Sequence, residues 1–241
     1  LTDTKRNRFQ QNKGALNSVA KSATTGVTKL RQKAKRIAEG LAKTYPDAEC
    51  ALHHSNTFQL LVATILSAQC TDERVNMVTP ILFGRYPEPA DLAESKQADV
   101  EEIIHSLGFF RAKATSIRGM ARGLVDLYAG EVPQDLQKLI ELPGIGRKTA
   151  NVVLGTSFGI ATGLVVDTHV KRLTRLIGLT TETTPEKIEL DLMKLLPSTE
   201  WVNFSHRLIH HGRQICIARR PKCEACPLLP DCDRVGLPPL E

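Results

Sequence analysis

The chain of 241 residues carries 32 Lys and Arg against 26 Asp and Glu, a formal charge of +6, and 41% of its residues are hydrophobic. That length is ample for a buried core without disulfide staples and sets an expectation of one large or two small domains. There is no apolar run of about 18 residues and no apolar stretch of about 7 to 15 residues behind the first basic residues, so the expectation is a soluble protein with neither a membrane-spanning helix nor a secretory signal.

The basic excess is an N-terminal property: residues 1–43 hold 11 basic and 2 acidic residues, whereas residues 44–241 hold 21 and 24. The opening stretch has small polar residues and few apolar ones, so it has little surface to bury and reads as a flexible basic arm, residues 1–28, able to attract phosphate. From about Leu30 helical spacing takes over. Phe58, Leu61, Val62, Ile65 and Leu66 fall at i, i+3, i+4, i+7 and i+8, and Ile188, Leu192, Leu195 and Leu196 repeat most of that pattern. Tyr45-Pro46, Tyr86-Pro87, Gly130 to Pro133, Gly178 and Leu196-Pro197 mark helix limits and leave little room for strands. Only Gly163 to His169 is briefly strand-like, so the expected product is an all-α globule with a cysteine-bound C-terminal lobe.

Asp135 to Phe158 reads as a short helix, a turn Pro143-Gly144-Ile145-Gly146, and a second helix beginning at Arg147. Gly144 and Gly146 allow φ > 0 and a close approach of backbone N–H groups to an anion at the positive end of the second helix. Arg147 and Lys148 stand in its first turn, where the dipole disfavours cations. A lysine half desolvated at such a place is a candidate nucleophile toward carbonyl-like carbon, and otherwise a phosphate-binding surface lysine. Further on, Val165 to Val170 enters another apolar helix and places Asp167 at its N-cap. That carboxylate either caps only or, near a nucleophilic amine, also assists proton transfer and stabilises positive charge on a sugar ring. His169, beside the cap, is a structural donor or a DNA contact.

Cys216, Cys223, Cys226 and Cys232 are spaced C-x6-C-x2-C-x5-C, a crowding that favours metal over disulfides. Four thiolates suit a zinc ion or a [4Fe-4S] cluster, and the spacing does not choose between them. Between the first two, Arg219, Arg220 and Lys222 occupy a loop tethered at both ends, and with Arg207 and Arg213 upstream they make a candidate phosphate patch. Cys50 and Cys70 read as small core residues.

The strings LPGIGRKTANVV and VVDTH and then the cysteine pattern, in that order, resemble the endonuclease III family of helix-hairpin-helix DNA glycosylases over about residues 30–235. The resemblance implies two helical lobes with double-stranded DNA bound across the cleft between them. One would be a six-helix barrel domain, residues 49–179, with its helix-hairpin-helix at 135–158; the other an iron-sulfur cluster domain made of residues 29–48 with 180–241. It implies [4Fe-4S] over zinc. Lys148 would be the amine that attacks C1′ of the damaged nucleotide to give a Schiff base followed by β-elimination, with Asp167 as its carboxylate partner. Ser67-Ala68-Gln69 matches the family's loop whose Gln fills the gap left by a flipped base, and Phe109 takes the second, strand-intercalating wedge position, where Leu is frequent. Further expected DNA contacts are Gly144, Gly146, Arg147, His169, Arg219, Arg220 and Lys222. The implied activity is that of a bifunctional DNA glycosylase and AP lyase of base excision repair, acting on oxidised pyrimidines such as thymine glycol or on abasic sites. The expected enzyme is a monomer in a bacterial cytoplasm, at the nucleoid, or in the nucleus or mitochondrion of a eukaryote. The rival readings are a monofunctional adenine or mismatch glycosylase, a branch not expected to carry the hairpin lysine, and a non-catalytic DNA-binding iron-sulfur protein.

Overall fold

The computed structural model describes residues 26–240, and among them helices are joined by loops without a strand. The helices run α1 (26–44), α2 (Thr57–Leu66), α3 (Asp72–Arg85), α4 (Pro89–Glu94), α5 (Gln97–Ile104) and α6 (Phe110–Tyr128). Then come α7 (Leu136–Ile140), α8 (Arg147–Phe158), α9 (Thr168–Ile177), α10 (Pro185–Leu195) and α11 (Ser198–Gln214), followed by two 3-10 turns at Cys223–Ala225 and Leu229–Asp231. The expected breakers all fall between elements, and the briefly strand-like Gly163 to His169 is instead a loop entering α9. Residues 1–25 of the expected basic arm lie outside the described residues, while residues 26–28 are helical and belong to α1.

Two hydrophobic cores organise these helices. The first joins α2 to α8 and includes Phe58, Leu61, Leu82, Val100, Ile117, Leu139 and Leu154. At its centre α2 is buried all round: Leu60 and Ala63 are as inaccessible as the expected stripe of Leu61, Val62 and Leu66, which is the pattern of a helix enclosed on every side. Asn56 accepts from the Gln59 N–H at 2.9 Å and so fixes where α2 starts. The long α6 buries Ala114, Ile117, Ala121 and Leu124 along one face, turned toward α4 and α5.

The second core is discontinuous in sequence. Ala34, Ile37 and Leu41 of α1 pack with Val170, Leu173 and Ile177 of α9, Ile188 and Leu192 of α10, Phe204 and Leu208 of α11, and Leu228. The two cores therefore part between Leu154 and Leu164, so α9 packs with the cysteine-bearing lobe, whereas the boundary expected from the sequence falls at residue 179. The physical reason is the face α9 presents: its apolar residues meet α1 and α11.

Candidate active site

The hairpin turn places the first residue of the site. Asp135 caps α7 by accepting from the N–H groups of Gln137 and Lys138 at 2.8 and 3.0 Å. The chain then reverses through Gly144, whose φ of +77° is unfavourable for any residue with a side chain and whose missing Cβ would lie 2.7 Å from Cβ of Ser116. Gly146 behaves differently from expectation: it is the extended N-cap of α8 at φ −93°, so only one of the two glycines uses the left-handed region. No side chain caps α8 at Gly146, which leaves the first-turn N–H groups open to an anion. Lys148 emerges from this turn exposed, not half desolvated, because the protein's own side chains do not close over it.

Asp167 is the N-cap of α9, as expected, and its Oδ1 accepts from the Val170 N–H at 2.8 Å, which holds the carboxylate at a defined height above the helix. Lys148 and Asp167 line one cavity of about 240 Å³. Its walls include Leu52 and Thr64 from the first lobe and Ser205 and Ile209 of α11 from the second, so it lies between the two cores. Gln69 is the third expected residue on its rim. The Ser67-Ala68-Gln69 loop is pinned by Ser67 Oγ donating to the Thr64 carbonyl at 2.9 Å and by the Cys70 N–H donating to the Ser67 carbonyl at 3.0 Å. Gln69 itself is exposed at φ +53°, a strained conformation for a residue other than glycine. Phe109 repeats the device on α6: at φ +58° it is the N-cap, 69% exposed, and it stands outside the cavity.

The other expected contacts separate into two groups. His169 does not line the cavity; its ring packs so close to Gly212 that a Cβ there would lie 2.7 Å from Nδ1, and burial pushes its pKa down. Arg147 donates from Nε and Nη2 to both carboxylate oxygens of Glu189 on α10, at 3.2 and 3.1 Å. Arg207 and Arg213, expected in the phosphate patch, are likewise paired, with Glu200 at 3.4 Å and with Asp72 at 2.5 Å. By contrast Arg219, Arg220 and Lys222 form no ion pair among the described residues and are exposed, Lys222 at the edge of the cysteine pocket. Sequence reasoning missed the acids Asp72 and Glu189. Their partners stand 141 and 42 residues away, and no local signal connects them.

Cys216, Cys223, Cys226 and Cys232 ring one pocket beneath α9 and α11. Four thiols lining one pocket are a donor set that suits a [4Fe-4S] cluster, each iron taking one thiolate, and equally a tetrahedral zinc ion. Burial pushes the thiols of Cys216, Cys226 and Cys232 up, and metal ligation, which binds the thiolate, is what reverses such a shift. Two nitrogen groups face the sulfurs: Arg172 Nη1 lies 3.6 Å from Cys216 Sγ, and His211 Nε2 lies 3.5 Å from Cys226 Sγ. His211 is buried and its pKa is held down to about 4, chiefly by desolvation.

Residues 62–198 of the chain match the model of the HhH-GPD superfamily of base excision DNA repair proteins. The chain is 56% identical over 198 residues to endonuclease III of Synechocystis sp., covering 82% of this chain and 90% of that one. Two solved structures superpose with TM-scores of 0.80 at 43% identity, one described as a non-covalent endonuclease III-DNA complex and the other as a trapped endonuclease III-DNA covalent intermediate. They cover 85% of this chain and 95% and 96% of their own. The chain belongs to the endonuclease III family, DNA glycosylases with AP lyase activity that act in base excision repair.

Proposed function

We propose that Lys148 is the amine that forms the covalent intermediate with the damaged nucleotide and that Asp167 is its carboxylate partner. The observation that carries this reading is their meeting, with Gln69, on the rim of one cavity between the lobes. An unprotonated amine attacks C1′ of the nucleotide while the base leaves with its bonding electrons; the amine then loses a proton, its lone pair opens the sugar ring by breaking the C1′–O4′ bond, and O4′ takes up a proton, which leaves the Schiff base. Asp167, held by the cap of α9, supplies negative charge where the sugar becomes positive. A proton then leaves C2′ and the 3′ phosphate departs by β-elimination. Gln69, projecting from a strained exposed turn, fills the stack when the nucleotide is extruded, and Phe109 wedges the other strand. Phosphates would sit on the open α8 N-terminus after Gly144 and Gly146 and along the loop of Arg219, Arg220 and Lys222.

The substrate class is duplex DNA carrying an oxidised pyrimidine of the thymine glycol type or an abasic site, and the enzyme works as a monomer. The four ringed cysteines would hold a [4Fe-4S] cluster, which when bound would cross-link residues 216–232 beneath α9 and α11. No helix among the described residues is long and apolar enough to cross a membrane, and the relatives are bacterial, which supports action at the nucleoid. A hairpin lysine is the feature that sets this reading above a monofunctional adenine or mismatch glycosylase.

Borohydride trapping on duplex DNA containing thymine glycol, beside an abasic-site duplex, tests the assignment. The wild-type protein should give a covalent adduct on both, and Lys148→Gln should lose it by about 1,000-fold or more while binding duplex within about threefold of wild type. An adduct that survives Lys148→Gln would overturn the role of the lysine; trapping on the abasic duplex alone would overturn the lesion class.

A further inference from the structure

Arg147, expected from its place in the hairpin to face DNA, turns its guanidinium onto a polar knot whose centre, Glu189, is buried, while its own side chain stays 47% exposed. Glu189, 8% exposed, receives both guanidinium hydrogen bonds and a third from Asn151 Nδ2 at 3.2 Å. Asn151 Oδ1 in turn accepts from Thr162 Oγ1 at 2.8 Å. Arg147 and Asn151 are one helical turn apart on α8, and Thr162 belongs to the loop that leads to α9. Gly163 completes the knot by having no side chain: a Cβ there would overlap Oε1 of Glu189 and lie 2.5 Å from Asn151 Nδ2.

The positions of these attachments matter. Arg147 immediately precedes Lys148, and Gly163 stands four residues before Asp167. Glu189 comes from α10, whose apolar face belongs to the other core. We propose that Glu189 is a positioning residue for the lyase reaction, a buried carboxylate that fixes the amine of Lys148 and the carboxylate of Asp167 in register by tying the α8 first turn and the α8–α9 loop to one point. It touches neither substrate nor reacting atoms. A charged acceptor is suited to this because it takes three hydrogen bonds at once, two of them in the planar fork of an arginine, which defines an orientation as well as a distance. Reacting groups held about 1 Å out of place lose on the order of 100-fold in rate, so a tie of this kind affects chemistry out of proportion to its effect on binding.

The inference rests on Lys148 being the attacking amine, and the experiment separates the two. Glu189→Gln keeps the shape and one acceptor but removes the charge; Thr162→Val removes only the donor to Asn151. For wild type and each variant, three quantities are measured: the single-turnover rate of adduct formation on an abasic-site duplex, the Kd for a duplex with a non-reactive tetrahydrofuran analogue, and the melting temperature. Glu189→Gln is expected to slow adduct formation about 10- to 100-fold with Kd within about twofold, and Thr162→Val to slow it about threefold. A folded Glu189→Gln protein that reacts at the wild-type rate, whatever its melting temperature, would reduce the knot to packing and overturn the proposal. Tighter DNA binding by Glu189→Gln would instead show Arg147 to be a masked phosphate ligand, and a parallel loss of rate and affinity would show a collapsed cleft; both outcomes also overturn it. Should Glu189→Gln fail to fold, Thr162→Val decides, and a wild-type rate there sinks the idea. Absence of any wild-type adduct would refute the assignment of Lys148 itself.

Discussion

The hairpin and the cysteine loop both carry cations, and the fold treats them in opposite ways. At the hairpin, Arg147 is neutralised by a buried acid, the turn is locked by Gly144 against Ser116, and one lysine is left lining the cavity. On the loop, Arg219, Arg220 and Lys222 carry no ion pair among the described residues, and the loop is closed by the Lys222 N–H donating to the Ile215 carbonyl at 2.9 Å. The first arrangement devotes its interactions to geometry, which a bond-making step requires. The second keeps its charges solvated and available, which is what attraction to phosphate requires, since that attraction is long-ranged and tolerant of angle.

The contrast can be tested from the loop side first. The protein as isolated should contain about four iron atoms per chain, and Cys223→Ala, which removes one tether, should lose the iron and weaken duplex binding by about 100-fold or more; zinc in place of iron would overturn the [4Fe-4S] assignment. A smaller effect is expected from Arg219→Ala, Arg220→Ala and Lys222→Ala combined. Affinity should fall about 10- to 100-fold and the slope of log K against log salt should flatten by up to about 3, with the single-turnover rate at saturating DNA unchanged. A slowed rate with intact affinity would erase the distinction between the two regions. The smallest expected change in binding comes from the hairpin. Gly144→Ala should leave the salt slope alone and lower the melting temperature by about 3–8 °C, because it meets Ser116 and is forced to φ > 0; a flattened slope would assign the turn to affinity after all.

How much of this is readable in the chain follows the same division. Lys148, Asp167 and the four cysteines are set by local strings, since a cap, a first helical turn and a short metal loop are decided by neighbours in sequence. The all-helical class is legible from breakers and periodicity, although α2 shows the limit of a stripe: Leu60 and Ala63 are buried because helices cover every side of it, which its own sequence does not encode. Arg147 shows the limit at the site. A first-turn arginine looks the same whether it meets a phosphate or a carboxylate, and the deciding residue, Glu189, arrives from another helix of the other core. Asn151, one turn after Arg147, is the single nearby sign that this face of α8 is polar and enclosed. Arg213 follows the same rule, its charge answered by Asp72 at the start of α3.

The discontinuous second core also imposes an order on synthesis. Helix α1 leaves the ribosome ahead of every other helix described, yet Ile37 and Leu41 have nothing to pack against until residues beyond 164 have been made. Residues 52–154 hold all the buried members of the first core, so that core can close in the meantime and hold the growing chain compact. The cysteines at 216–232 follow later still, so the nascent protein completes its second lobe only after every residue of the first core has been made.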